Sequence, residues 1–402
     1  MGLANGIFDT SMLITDEAAK SYAGMITRLF PNGQAPLFAL TSMLKSETAV
    51  QVEHGYYTKT MIFPSTTLGA AVADGAATSF VVVSSAQILP NMVLRAQSTG
   101  ELVTVDSVTD ATHIVVTRGT GQVAAAAIAN GVVLYAVGTA FEEASNRPQA
   151  QAITPTRIMN LTQIFKNAWA LSGTQNATQI IAAAGGSKIA ENRMDCAAFH
   201  SADIERGIFF GQKFQGTRNG KPFRLMDGLL SVLTQYAPAG NRTTLGATTT
   251  FDQLEAAFDV VFNQVTDPSA GNERLLFVGG TARKVINAIG RKTGTYYIVD
   301  GQTSFGLQFS SFKISRGQFR MIEHPQFNSN ATWAAMGVAV DLSTFALAYM
   351  NGRKTKAKDY NLGGEEIDNG IDAVGGSLLT EVTTEIRNPA ANSWVTNFTA
   401  AA

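Results

Sequence analysis

The spacing of hydrophobic positions changes three times along the chain. Near the start it is helical. Ala19, Tyr22, Ala23, Ile26 and Phe30 fall on one face of a helix. After Gly33 and Gln34, Pro36 opens a second helix carrying Leu37, Leu40 and Leu44. Over 66–139 the period shortens to β-branched runs at 80–83, 92–94, 102–105, 114–117 and 132–135. Turn-forming residues separate them: Asp74 and Gly75, Pro90 and Asn91, Thr99 and Gly100, Asp110, and Asn130 with Gly131. Strands at this spacing predict a small β-barrel or sandwich. The module sits between Tyr56-Tyr57 and Glu142-Glu143, as an insertion in a loop.

Helical spacing returns over 187–212, where Ala190, Met194, Ala197, Ser201, Ile204 and Ile208 recur every three or four residues. Ser187 follows Gly185 and Gly186 and is placed to cap the helix. Some 25 helical residues span about 38 Å, a strut across the molecule. Its apolar stripe is narrow and built of small residues, and Phe199 points the other way, so both sides are expected to be covered.

Helix and strand then alternate over 250–345. Thr250 and Gln253 form a capping box ahead of Leu254, Phe258, Val261, Phe262 and Val265. A buried strand is predicted at 275–278. Gly279, Gly280 and Thr281 then open a helix with Ala282, Val285 and Ile289. Further strands are expected around 296–299, 319–322 and 333–340. Between 378 and 387 apolar and polar residues alternate, which predicts a long half-exposed strand. The class is α+β.

Composition adds a hint of assembly. Charged residues are 15% of the 402, against roughly 25% in an average soluble domain. Over 66–139 there are six: Asp74, Arg95, Glu101, Asp106, Asp110 and Arg118. A subunit whose surface is covered by neighbours needs fewer charges. The net charge of −1 argues against an overall basic nucleic-acid binder. A lone cysteine, Cys196, excludes an intrachain disulfide and reads as a buried structural thiol. The first ten residues carry no basic n-region, so no signal peptide is expected, and no membrane span is evident.

Motifs for catalysis or metal binding do not emerge. The four histidines, at 54, 113, 200 and 324, lack metal-ligand spacing. Gly279, Gly280 and Thr281 have the look of a phosphate loop, but no Lys-Ser/Thr pair follows, and a tight strand-to-helix turn is the better reading. Glu365, Glu366, Asp368 and Asp372 form an acidic run whose spacing is not that of an EF-hand. Arg353, Lys354, Lys356 and Lys358 lie just before it, a cluster open to phosphates, to acidic groups of a neighbour, or to solvent.

Over its whole length the order of segments resembles the major capsid proteins of tailed bacteriophages with the Hong Kong 97-type fold. Asn146, Arg147 and Pro148, the segment Asn160, Leu161, Thr162, Gln163, Ile164 and Phe165, and Ile204, Glu205 and Arg206 carry the resemblance. It implies an N-terminal arm at 1–55 and an extended loop at 56–150 enlarged by the β module at 66–139. It further implies a peripheral domain with a spine helix at 151–235 and 345–402, and an axial domain at 236–344. The implied function is structural and not enzymatic: self-assembly into an icosahedral head, in hexamers and pentamers, around double-stranded DNA. No cofactor is implied. Implied partners are a separate scaffolding protein, a portal, packaged DNA touching the inner face without sequence preference, and in some relatives a decoration protein. The protein is expected in the virion after assembly in the host cytoplasm. If the spine helix lies under a neighbour's extended loop, Asp203, Glu205 and Arg206 are candidate assembly-interface residues. Two other readings remain open from the sequence: another virion component such as a tail or adhesin protein, and an α+β enzyme with a β-rich appendage.

Overall fold

The computed structural model describes residues 35–43, 46–59, 63–148, 150, 152–178, 187–264, 272–293, 303–304, 307–308, 310–361 and 372–401. The helix expected at 19–30, the strand expected at 296–299 and the acidic Glu365, Glu366 and Asp368 lie outside them. The chain divides into two compact units, one of 1–58 with 157–402 and the other of 59–156.

The 59–156 unit is all β. Its strands are β3 (Ser65–Thr67), β4 (Ser79–Val81), β5 (Met92–Ala96), β6 (Leu102–Val108), β7 (His113–Thr117) and β8 (Val133–Thr139). They form one antiparallel sheet in the order β3-β8-β5-β6-β7-β4. The ends of that sheet meet. Leu68 bridges Val82, Gly69 N–H donates to the Val81 carbonyl at 2.8 Å, and Val83 N–H to that of Thr67 at 2.8 Å. The sheet therefore closes on itself as a barrel around Phe80, Leu94, Val103, Val105, Ile114, Val116 and Leu134. Gly131 supplies the positive φ of 81° that the turn into β8 requires. One charged pair is sealed inside: Arg118 donates twice to Glu101, at 2.7 Å each, and to the carbonyls of Asp74 and Ala126. Glu101 also accepts from the Gly119 and Ala126 amides. β3, three polar residues long, has no hydrophobic run and was invisible to periodicity.

The other unit holds two larger sheets. In the first, β1 (Glu47–Ala49), β20 (Phe345–Met350), β22 (Ala373–Ile386) and β10 (Gln163–Ser172) run in that order, with β21 (Lys356–Tyr360) also on β22. Helices α1 (Pro36–Met43), α3 (Lys188–Phe210) and α4 (Leu229–Tyr236) share its apolar core, which includes Leu37, Phe165, Ile204, Ile208, Leu229, Val382 and Ile386. A short helix, α2 (Gly173–Ala177), is capped by the Ser172 hydroxyl. Close packing of α3 needs Gly207, because a Cβ there would lie 2.8 Å from the Phe165 ring and from Met226. Around this sheet run a ribbon of β2 (Glu53–Thr58) with β9 (Thr156–Leu161) and a hairpin of β11 (Phe214–Arg218) with β12 (Lys221–Leu225).

The second sheet is mixed, in the order β13 (Arg242–Thr244), β23 (Ser393–Thr396), β19 (Gly337–Val340), β14 (Glu273–Val278), β18 (Gly317–Glu323), β17 (Ser310–Ile314). Helices α5 (Phe251–Asp259) and α6 (Gly280–Thr293) pack on it through Leu254, Phe258, Ala282, Ile286 and Ile289. The capping box at Thr250 and Gln253 is present, whereas Ser187 stands at the N-cap of α3 without a side-chain cap bond. A small ribbon of β15 (Thr303–Ser304) and β16 (Leu307–Gln308) completes the strands.

Three expectations change. The strand foreseen at 333–340 begins only at Gly337, because Asn330 caps a turn of helix, α7 (Ala331–Ala334), by accepting from Thr332 N–H at 2.8 Å. The last strand, β23, joins the second sheet between β13 and β19, so the chain end returns to the segment that 236–344 forms. The strand foreseen as half-exposed, β22, is buried on both faces from Thr380 to Ile386. Its charged side is covered: Glu385 meets His54 of β2 at 3.1 Å and Arg387 at 2.6 Å, and Glu381 meets Arg353 at 2.5 Å.

Candidate assembly interface

The three candidate residues sit near the C-terminal end of α3 and separate into two environments. Asp203 and Arg206, one turn apart, form an exposed ion pair. Asp203 also accepts from the Asn167 side chain at 2.8 Å, which ties the helix to β10. Glu205 points into the core and is fully buried. It is therefore corrected from a surface contact to an internal anchor.

What Glu205 anchors is α1. That helix begins at Pro36, preceded by Ala35, which has no side-chain acceptor for the first turn. Glu205 supplies the missing acceptor from another element: Leu37 N–H donates to Oε1 at 2.9 Å and Phe38 N–H to Oε2 at 2.6 Å. A carboxylate at a helix N-terminus also favours the helix dipole. His324 Nε2 meets Oε1 at 2.8 Å from the end of β18, itself boxed by the rings of Phe209, Phe277 and Phe327. One side chain thus joins the arm, the long helix and the second sheet. The sequence held a faint signal, since Glu205 lies four residues before the apolar Phe209 and beside Ile204 on the inward side.

His200 makes the second helix-to-sheet link. The Asn167 Oδ1 lies 2.7 Å from Nδ1, and the Thr380 hydroxyl 2.7 Å from Nε2. Because Asn167 presents its carbonyl oxygen, Nδ1 carries the proton and Nε2 accepts. Burial disfavours the charged imidazolium and lowers the pKa, partly opposed by Asp203. Cys196, on the same buried face, contacts the Trp169 and Leu171 cluster, and burial pushes its thiol pKa up. Among the described residues no three His, Cys, Asp or Glu side chains group as a metal site. The Gly280 amide donates to Asn328 Oδ1 at 2.7 Å, so that turn is satisfied by its own chain.

This constellation is one of positioning: buried polar links fix a long helix across a sheet, and the arm onto the helix. Nothing in it brings a nucleophile to a base. A family model for the SU10 major capsid protein matches residues 5–399. The chain belongs to that family. A major capsid protein of Pseudomonas phage PaMx41 is 38% identical over 400 residues, covering 97% of this chain and 94% of the relative. The protein is accordingly a major capsid protein of a phage, homologous to the subunits of icosahedral shells and a component of the virion. Among solved structures, the chain is similar to the capsid of a native GTA particle at TM-score 0.48 and 10% identity, with 98% of each chain covered. It is similar to a chain of Mycobacterium phage Bobi at TM-score 0.47 and 9% identity, over 95% of this chain and 96% of that one. The family assignment rests on the sequence matches.

Proposed function

We propose that this capsid protein builds the head shell as a non-catalytic subunit, in hexamers and pentamers, around a double-stranded DNA genome. In this reading the first sheet with α3 is the peripheral domain with its spine helix. The second sheet, including β23, is the axial domain, and 35–58 belongs to the N-terminal arm and the base of the extended loop. The barrel at 66–139 is an insertion carried on the β2–β9 ribbon, with its core separate from that of the shell floor. Assembly uses a separate scaffolding protein and a portal, takes place in the host cytoplasm, and leaves DNA touching the inner face without sequence preference. A satellite-phage procapsid with a size-determination protein, 13% identical to this chain, is one solved particle that includes an added assembly factor. The observation that carries the reading is the family match over 5–399, which leaves no large segment for a second activity. Expression of the chain alone and together with its scaffolding protein, followed by electron microscopy, tests it. Closed shells are expected. Protein that remains monomeric at high concentration with scaffolding present refutes it.

A further inference from the structure

The first sheet has one face turned to α3 and one turned away. Asn167 and Trp169 of β10, Thr380 of β22 and Asp359 of β21 face the helix, through His200, Cys196 and Arg193. Strand alternation therefore sends Lys166, Lys356 and Lys358 to the other side. Lys356 and Lys166 both oppose Leu379, from the two flanks of β22, and Lys358 opposes Ser377. The first pair is about 10 Å apart across two strand spacings, and Lys356 and Lys358 are about 7 Å apart along one strand. All three are exposed, and none forms an ion pair among the described residues. The carboxylate on this side, Glu381, is already taken by Arg353 at 2.5 Å, Arg224 at 4.0 Å and the Thr162 hydroxyl at 2.8 Å. Between the lysines the floor is flat and largely apolar: Ala168, Ala170, Leu379 and the 45% exposed Ile164.

A surface of matching size and opposite charge exists on the same chain. Glu142 and Glu143 are the one pair of adjacent carboxylates among the described residues, exposed and without a cationic partner. They follow Phe141, which is 41% exposed, and Arg147 lies four residues beyond. The described residues of 140–155 form neither helix nor strand and are exposed almost throughout. An uncovered extended segment needs a surface to lie on, and this sheet face has the complementary mixture. Phe141 suits the apolar floor and the two carboxylates suit the lysines. A phosphate backbone would neutralise the lysines but set charged oxygens against Ile164 and Leu379.

We propose that the Lys166, Lys356 and Lys358 face binds the Glu142 and Glu143 segment of a second copy of this chain. The inference rests on the reading of the protein as a self-assembling subunit, and charge exchange separates the two. Lys166→Glu, Lys356→Glu and Lys358→Glu together should lower shell yield at physiological salt by roughly tenfold or more, as should Glu142→Lys with Glu143→Lys. Combining both sets should restore the yield to within about threefold of wild type, because only the pairing is re-established. The unassembled variants should melt like wild type, since all five side chains are exposed. A combined variant that assembles no better than the lysine variant overturns the proposal. So does a lysine variant that assembles normally but loses binding to a short DNA duplex, or one rescued instead by reversing Glu365 and Glu366. Should wild type form no shells, the self-assembly reading fails by itself. Carbodiimide coupling of Lys356 to Glu142 or Glu143 between isotopically distinct copies, read by mass spectrometry in whatever oligomer forms, still decides. Presence of the mixed-copy amide supports the contact, and its absence rejects it.

Discussion

Replacing Glu205 by alanine should destabilise the subunit by far more than a surface helix position would. Three groups lose an acceptor at once: the Leu37 and Phe38 amides and the His324 Nε2. Leu37 and His324 are fully buried, so water cannot stand in without opening the core. An orphaned buried polar group costs about 1–3 kcal/mol, and removing one partner of a buried charged cluster about 3–5 kcal/mol. Part of the amide loss is recoverable, because first-turn amides of α1 have no intrahelical partner and the helix can fray toward solvent. The expected total is therefore about 3–4 kcal/mol, shared between undocking of α1 and the void beside His324. Urea unfolding of unassembled subunits, followed by tryptophan fluorescence, reads it as a fall in midpoint of about 1–2 M at a slope of about 2–3 kcal/mol/M. Glu205→Gln keeps the shape and one acceptor but aims an amide N–H₂ at a donor, so it should recover less than half of the loss. A Glu205→Ala midpoint within about 0.3 M of wild type would show that the carboxylate anchors nothing and that α1 is held by Leu37 packing alone.

Three further outcomes follow from the same geometry. Burial works against ionising Glu101, yet the Arg118 guanidinium and the Ala126 and Gly119 amides outweigh it and hold the pKa below its ordinary 4.5. The barrel should thus keep this stabilisation above that value and lose it as pH falls through the lower folded one, while Arg118→Met should cost about 3–5 kcal/mol at neutral pH. A barrel equally stable with and without Arg118, by proton exchange of the β6 and β7 amides, would contradict that. Deleting 66–139 and joining the flanks should leave the remaining subunit folded with its near-ultraviolet circular dichroism intact, because β2 and β9 pair at the base of the insertion and the barrel core is its own. Purely insoluble product would mean that the two cores depend on each other. Arg206→Ala should alter the melting midpoint little, since exposed pairs contribute about 0–1 kcal/mol, and should reduce shell yield if Asp203 and Arg206 meet a neighbour. Normal yield would leave them a solvated pair.

Periodicity in the sequence determined most elements, because a helix or strand is specified by residues a few positions apart. The barrel strands, α3, the Thr250 capping box and the β14-turn-α6 segment all read directly from spacing, caps and turns. The family resemblance likewise needed only order and short motifs. What the sequence left undecided is what meets across long separations. Glu205 and Leu37 lie 168 residues apart, Glu205 and His324 119, and Asn160 and Thr384 224. No local pattern distinguishes a glutamate in solvent from one that caps another helix. The same limit explains β22, whose alternation of apolar and polar residues is that of an exposed face. Only the tertiary structure puts His54 and Arg353 over Glu385 and Glu381, and it covers one half of the strand while leaving the other bare. Local sequence fixes backbone conformation because its energetics are short-ranged. Burial and ion pairing depend on which surfaces the folded chain brings together, and that is settled by packing of the whole.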